Sequence, residues 1–192
     1  MSKKSPMIAR RQALGLGLSA AAGLAIAPLA AAFAAPLPKS SLTGGDRRLL
    51  AFENLHTGEK LTTPYWINGA YEPEACRQID WLLRDHRSGN ATTMSRELLD
   101  LLHRLRSVLE SPAPFQVISG YRSPQTNAKL ASASSGVASN SLHMKGIAID
   151  IRLPGCALPD LRQAALSLKA GGVGYYPKSN FVHVDTGRVR AW

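Results

Sequence analysis

The 192-residue chain is short of acid: 13 aspartates and glutamates stand against 23 lysines and arginines, a net charge of +10. Such a surface favours anionic partners, whether nucleic acid, lipid headgroups or an acidic cell-wall polymer. Blocks of lysine and arginine and basic stripes interleaved with aromatics are missing from the body, so nucleic acid is not expected as a partner. Only two cysteines occur, Cys76 and Cys156, and they make no CxxC, which excludes a zinc knuckle or a dithiol redox pair. They fit either a disulfide in an oxidising compartment or two small buried hydrophobes. There is no internal repeat. Beyond the first 35 residues no apolar run is long enough to span a bilayer, so no stable membrane span is expected once a leader is removed. The whole chain is 45% hydrophobic and 19% charged, an ordinary balance for one globular domain, expected to be a monomer.

Residues 1–35 read as a signal peptide. Lys3, Lys4, Arg10 and Arg11 carry four of the positive charges with no acid among them, which leaves about +6 for the rest. An Ala-, Leu- and Gly-rich apolar stretch runs from Leu14 to Leu29, and Ala32-Phe33-Ala34 supplies an A-x-A cleavage signal, placing the cut within about 32–36. Arg10-Arg11 before this weakly hydrophobic stretch resembles a twin-arginine leader, the kind that exports folded proteins. Residues 36–46 read as a linker and 47–192 as the functional domain. The mature chain is therefore expected in the periplasm.

In the body, Leu49–Asn54 and Lys60–Ile67 read as strands either side of a turn at Thr57-Gly58-Glu59. Pro73 suits the first turn of a helix running to about Arg87. Leu98, Leu102, Leu105 and Leu109 form one apolar stripe, predicting a helix over 95–110. Phe115–Ile118 is short and β-prone, and a short helix is expected over 125–132. Residues 147–153 alternate as a strand. Pro159–Ala170 reads as a helix ended by Gly171-Gly172, followed by antiparallel strands at 173–176 and 181–186. The fold class is α+β, a small antiparallel sheet packed against several helices.

Candidate chemistry lies in Ser141-Leu-His143-Met-Lys-Gly146-Ile-Ala148-Ile-Asp150 and in Phe181-Val-His183-Val-Asp185. Zinc takes imidazole nitrogen and carboxylate oxygen, and a catalytic site uses three protein ligands with a fourth position left for water. Two histidines and one aspartate meet that count. A lone histidine in a strand is more often an ordinary core or surface residue, and periodicity cannot join residues 150 and 183 in space. In a strand over 181–185, Phe181, His183 and Asp185 share a face.

The pattern S-x-H-x-x-G-x-A-x-D with a late histidine in a strand resembles the zinc motif of the LAS-type metallopeptidases, which include D-Ala-D-Ala carboxypeptidases, lysostaphin-like enzymes and related murein peptidases. Ile118-Ser-Gly-Tyr-Arg-Ser-Pro124, Thr126-Asn127, Gly171-Gly-Val-Gly-Tyr-Tyr-Pro177, Phe181-Val-His-Val-Asp-Thr-Gly187 and Asn54-Leu-His-Thr-Gly-Glu59 extend the likeness to the murein endopeptidases over roughly residues 47–192. The resemblance implies a Hedgehog/D-Ala-D-Ala-peptidase-like fold, one Zn2+ per chain on His143, Asp150 and His183, and peptidoglycan as substrate. The bond expected to be cut is a meso-diaminopimelate–meso-diaminopimelate or D-Ala–meso-diaminopimelate cross-link. A D,D- or L,D-carboxypeptidase and a non-catalytic peptidoglycan-binding module are the alternatives.

Many relatives place a glutamate three residues before the last histidine, or a histidine two before it. Asn180 and Phe181 occupy those positions here, so Asp185 is the candidate base, or else the partner that orients a ligand imidazole. Arg122 suits an oxyanion or a substrate carboxylate, or ties down its own turn. Tyr121 and Ser141 are candidate substrate contacts, Ser141 equally a loop cap. Gly146 is expected where two backbone segments pass closely. His56, His86 and His103 are assigned to no metal. His86 is expected at a helix end, and His103 on an exposed helix face.

Overall fold

The computed structural model describes residues 46–133 and 137–192. The leader and all but the last residue of the linker expected from the sequence lie outside the described residues. Among the described residues no helix is long and apolar enough to cross a membrane.

Eight strands form a single sheet in the order β3-β2-β1-β4-β5-β7-β6-β8. They are β1 (Arg47–Asn54), β2 (Lys60–Ile67), β3 (Ala70–Tyr71), β4 (Phe115–Ser119), β5 (Ala148–Arg152), β6 (Gly172–Tyr176), β7 (Phe181–Asp185) and β8 (Arg190–Ala191). Among the described residues four α-helices accompany them: α1 (Pro73–Leu82), α2 (Arg96–Val108), α3 (Pro124–Ala133) and α4 (Leu158–Ser167). The class is α+β, as the sequence predicts, but the sheet is larger than expected and is mixed. The β1–β2 hairpin joins the later strands because β1 pairs in parallel with β4, Phe52 opposite Phe115, and β8 pairs in parallel with β6. Hydrophobic alternation tells which face of a strand is buried, not which strand lies beside it.

The core is built where helical and strand periodicities meet. On α2, Leu98, Leu102 and Leu105 of the predicted stripe are fully buried together with Leu99, while Leu109, the fourth residue of that stripe, caps the helix end and is only partly buried. They pack with Leu50 and Phe52 of β1, Tyr65 of β2, Ile79 of α1, and Phe115 of β4. Each such side chain contributes about 1.5–3 kcal/mol by leaving water.

Three helices end earlier than predicted, α2 only slightly, at Val108, and α1 and α4 by more. α1 stops at Leu82 because Asp85 captures the following turn: its carboxylate accepts from the Arg87 amide at 3.0 Å and the Ser88 hydroxyl at 2.9 Å. A short acceptor of this kind competes with helical bonding. His86 therefore sits beyond the helix, half-buried and stacked on His56 with ring centroids 3.8 Å apart. α4 stops at Ser167, and Lys169 rather than a glycine takes the left-handed conformation after it, at φ 48°. His103, expected exposed, is half-buried edge-on to Tyr65. Cys76 and Cys156 are both free. Cys76 is buried in α1 and Cys156 lies partly exposed in the turn before α4, and burial pushes both thiols up.

Candidate metal centre

The central strands β5 and β7 are antiparallel, and their register sets Asp150 directly opposite His183. Directly paired residues project to the same face of a sheet, so the pairing brings together two side chains 33 positions apart. The third group arrives from a loop. Ser141 opens a single 3-10 turn, Leu142–Lys145, with its hydroxyl accepting from the His143 amide at 3.4 Å. Gly146 closes the turn at φ 66°, where a Cβ would lie 2.7 Å from the Thr93 carbonyl oxygen. Both the left-handed backbone and the close passage require glycine there.

His143, Asp150 and His183 consequently converge. Asp150 Oδ1 lies 2.9 Å from His183 Nδ1 and 3.3 Å from His143 Nε2, and the two nitrogens are 3.2 Å apart. All three residues are buried. The far nitrogen of each ring has a protein acceptor. His143 Nδ1 lies 2.7 Å from the Gly120 carbonyl, and His183 Nε2 lies 3.0 Å from Asp185 Oδ2. Donation there leaves His143 Nε2 and His183 Nδ1 as lone pairs turned toward each other and toward a carboxylate oxygen.

Three acceptors facing one point repel unless something positive lies between them. A tetrahedral ion with bonds of 2.0–2.2 Å separates its ligands by roughly 3.3–3.6 Å, close to the spacings found. The donor set, its geometry and the hydrogen bonds behind both rings therefore fit a divalent ion of the zinc type. Burial alone would raise the Asp150 carboxyl, but the facing imidazoles outweigh it and hold the group well below the usual carboxylate range. Burial would likewise lower His183, and within the protein alone the neighbouring Asp150 and Asp185 carboxylates favour the protonated ring and raise it.

The cluster forms the floor of a cleft of about 550 Å³, lined also by Arg122, Ser141, Tyr176, Phe181, Arg190 and Trp192. The Arg122 side chain is 11% exposed, with Nη2 3.8 Å from Asp150 Oδ2 and Nη1 donating to Asn127 Oδ1 at 3.3 Å. Its Nε–H has no protein acceptor among the described residues. Burial pushes its pKa down, yet a guanidinium keeps its charge. The turn that carries it is anchored from a distance: buried Asp85 accepts from the Ser123 amide at 3.0 Å and the Ser123 hydroxyl at 2.7 Å. Burial would raise Asp85, but Thr126, Ser123 and the backbone amides hold it low. Asn127 also donates to the carbonyls of Ala138 and Ser139, joining the arginine turn to the loop before His143.

Asp185 is fully buried, and both its oxygens are filled by the amides of Gly172 and Gly187, the Arg190 guanidinium and His183 Nε2. A carboxylate so occupied has no lone pair turned to a water in the cleft, and it stands where the second of its two sequence alternatives puts it, behind the His183 ring. Tyr121 does not line the cleft. Its amide donates to the Leu83 carbonyl, and its side chain packs partly buried against the core. The sequence reading also missed Asp85, Arg190 and Trp192. A signal for the last two is present: Gly172 and Gly174 leave the same face of β6 bare, and a bare face calls for something bulky to cover it.

Comparison with known proteins agrees with this geometry. Residues 42–192 match the family described as peptidoglycan L,D-endopeptidase MepK. The chain is 43% identical to the Escherichia coli protein named peptidoglycan L,D-endopeptidase MepK over 183 residues, covering 95% of this chain and 96% of that one. The Shigella flexneri protein of the same name matches with the same identity and coverage. A Haemophilus influenzae protein named "Probable peptidoglycan L,D-endopeptidase MepK" is 40% identical over 184 residues, covering 95% of each chain.

Proposed function

The chain belongs to the MepK family of peptidoglycan L,D-endopeptidases, and from that premise we propose that it is a zinc-dependent murein endopeptidase opening peptide cross-links during wall growth or remodelling. The observation that carries the proposal is the convergence of His143 Nε2, His183 Nδ1 and Asp150 Oδ1 at the floor of an open cleft. The L,D specificity in the relatives' names favours the meso-diaminopimelate–meso-diaminopimelate bond over the D-Ala–meso-diaminopimelate bond, which joins two D centres.

When bound to these three groups, zinc supplies a Lewis acid for the scissile carbonyl and lowers the pKa of an attacking water toward ~7. The protein's own residues do the rest. Gly120 and Asp185 hold the two imidazoles in the tautomers that present lone pairs inward. Arg122 faces the cleft with an unpartnered Nε–H and would stabilise negative charge, either on the carbonyl oxygen as it is attacked or on a diaminopimelate carboxylate. Ser141 caps the His143 turn and fixes that ligand over the sheet. Asp150 is the sole carboxylate lining the cleft among the described residues.

The basic leader, its paired arginines and the A-x-A site support export of the mature chain by the twin-arginine route to the periplasm, where the proposed substrate lies. The test of function is hydrolysis of purified cross-linked muropeptides. Cleavage should stop with chelator and return with added zinc. Cleavage of a monomeric pentapeptide but not of cross-linked dimers would replace the endopeptidase with a carboxypeptidase.

A further inference from the structure

Trp192 is 46% exposed, yet both its main chain and its side chain are tied down. Its amide donates to the Val173 carbonyl at 3.2 Å, and its carbonyl accepts from the Tyr175 amide at 3.0 Å. Its indole Nε1–H donates to the Tyr176 hydroxyl at 2.8 Å, and the Arg190 guanidinium lies 4.7 Å from the ring centre. Below the ring is Gly174, the residue paired with His183 across β6 and β7. A Cβ at Gly174 would stand 2.7 Å from the indole carbons, so the ring lies flat on bare backbone. This seating leaves the indole 5.3 Å, centre to centre, from the His183 imidazole.

The aromatic surface extends further. Tyr176 and Phe181 stack with centroids 4.5 Å apart and planes 20° from parallel, and both line the same cleft. Arg122, a buried cation, also lines it. The cleft thus combines an apolar aromatic wall with a charged donor. A rigid, half-exposed aromatic beside a reactive centre is the usual form of a binding anchor, since little conformational entropy remains to be lost when a ligand covers it.

We propose that Trp192 is a substrate-positioning residue: with Tyr176 and Phe181 it forms a wall that packs on the methylene chain of the cross-linking residue while Arg122 takes that residue's carboxylate. The inference rests on the cleft being the peptidase site, and it names the part of the substrate that the cleft grips. Diaminopimelate has the required form, an alkyl chain ending in charged groups. Contacts away from the scissile bond act by holding that bond in register with the metal.

The test uses chelator-treated full-length protein, so that binding is read without turnover, and a cross-linked muropeptide dimer as probe. The three tryptophans are Trp66, Trp81 and Trp192, so Trp66→Phe and Trp81→Phe together leave Trp192 as the only indole reporter. Saturating dimer should shift Trp192 emission to the blue. In the otherwise unaltered protein Trp192→Ala should weaken dimer binding about tenfold, and Trp192→Phe should recover most of it. In the zinc-loaded enzyme Trp192→Ala should raise KM more than it lowers kcat, with bound zinc and Tm unchanged. Unchanged emission at saturation, or no saturable binding, overturns the proposal. So does a Trp192→Ala protein whose activity falls only in step with lost zinc, which would make the residue a support of the metal site. If wild-type protein cleaves no muropeptide yet Trp192 still reports binding, the functional reading fails and the wall stands.

Discussion

Asp185 and His183 lie two residues apart on one strand, with Asp185 Oδ2 3.0 Å from His183 Nε2 and the aspartate sealed from solvent. The aspartate therefore stands behind the His183 ring, on the side away from the cleft. Arg190 completes the arrangement, its Nη2–H donating to the same oxygen at 2.7 Å.

Asp185→Asn should consequently behave as a metal-affinity variant. Losing a carboxylate that orients a ligand imidazole typically costs 10–100-fold in metal affinity. Activity should fall at limiting zinc and recover substantially at saturating zinc, with the pH–rate profile unmoved. Zinc titration followed by muropeptide kinetics checks this. An activity loss that zinc cannot restore would return Asp185 to the role of base.

Asp85→Asn should lower kcat/KM while leaving zinc content intact. Asp85 holds the Ser123 amide and hydroxyl and so fixes the turn that carries Arg122. A buried donor left without its acceptor costs about 1–3 kcal/mol, and a displaced guanidinium should cost about tenfold or more in rate. Metal analysis, thermal melting and kinetics on one preparation separate the effects. Zinc loss in proportion to activity would contradict the assignment.

Stability should fall as pH drops from about 6.5 toward 4. Burial pushes His86 down from 6.5 to about 4, with His56 and Arg87 acting in the same direction and Asp85 opposing. The unfolded chain thus takes up a proton that the folded chain refuses within this window, and stability rises with pH wherever the unfolded state binds more protons. The contribution is fully present above the ordinary histidine value. His86→Gln should flatten the dependence between pH 6.5 and 4, read by melts at several pH values. A wild-type melting temperature constant across that window would contradict the assignment.

Gly174→Ala should displace the Trp192 indole, because the added methyl would lie 2.7 Å from two of its ring carbons. Dimer affinity should fall as it does in Trp192→Ala, with zinc retained. A crystal structure of the variant with the indole unmoved would remove the reason given for glycine at this position.

Much of this arrangement is legible in the chain. The leucine stripe on α2 places that helix correctly, and turn residues bracket β1 and β2. The spacing from His143 to Asp150, with a late histidine in a strand, points to the three groups that converge. What escapes sequence reasoning is pairing. Nothing local in β1 says that Phe52 will lie beside Phe115, nor in β5 that Asp150 will face His183. The role of Asp185 is hidden for the same reason: alternation puts it on the face of His183, but its occupied oxygens depend on Gly172 and Arg190, which approach from β6 and β8. Asp85 reads as one polar residue after a helix, and only folding brings Ser123 to it from 38 positions away.

The most direct measurement is anomalous diffraction at the zinc edge from crystals of the purified protein. The account predicts one strong peak, bonded at roughly 2.0–2.2 Å to His143 Nε2, His183 Nδ1 and Asp150 Oδ1. Zinc-soaked crystals with no peak at that point, or with zinc held by other side chains, would contradict it.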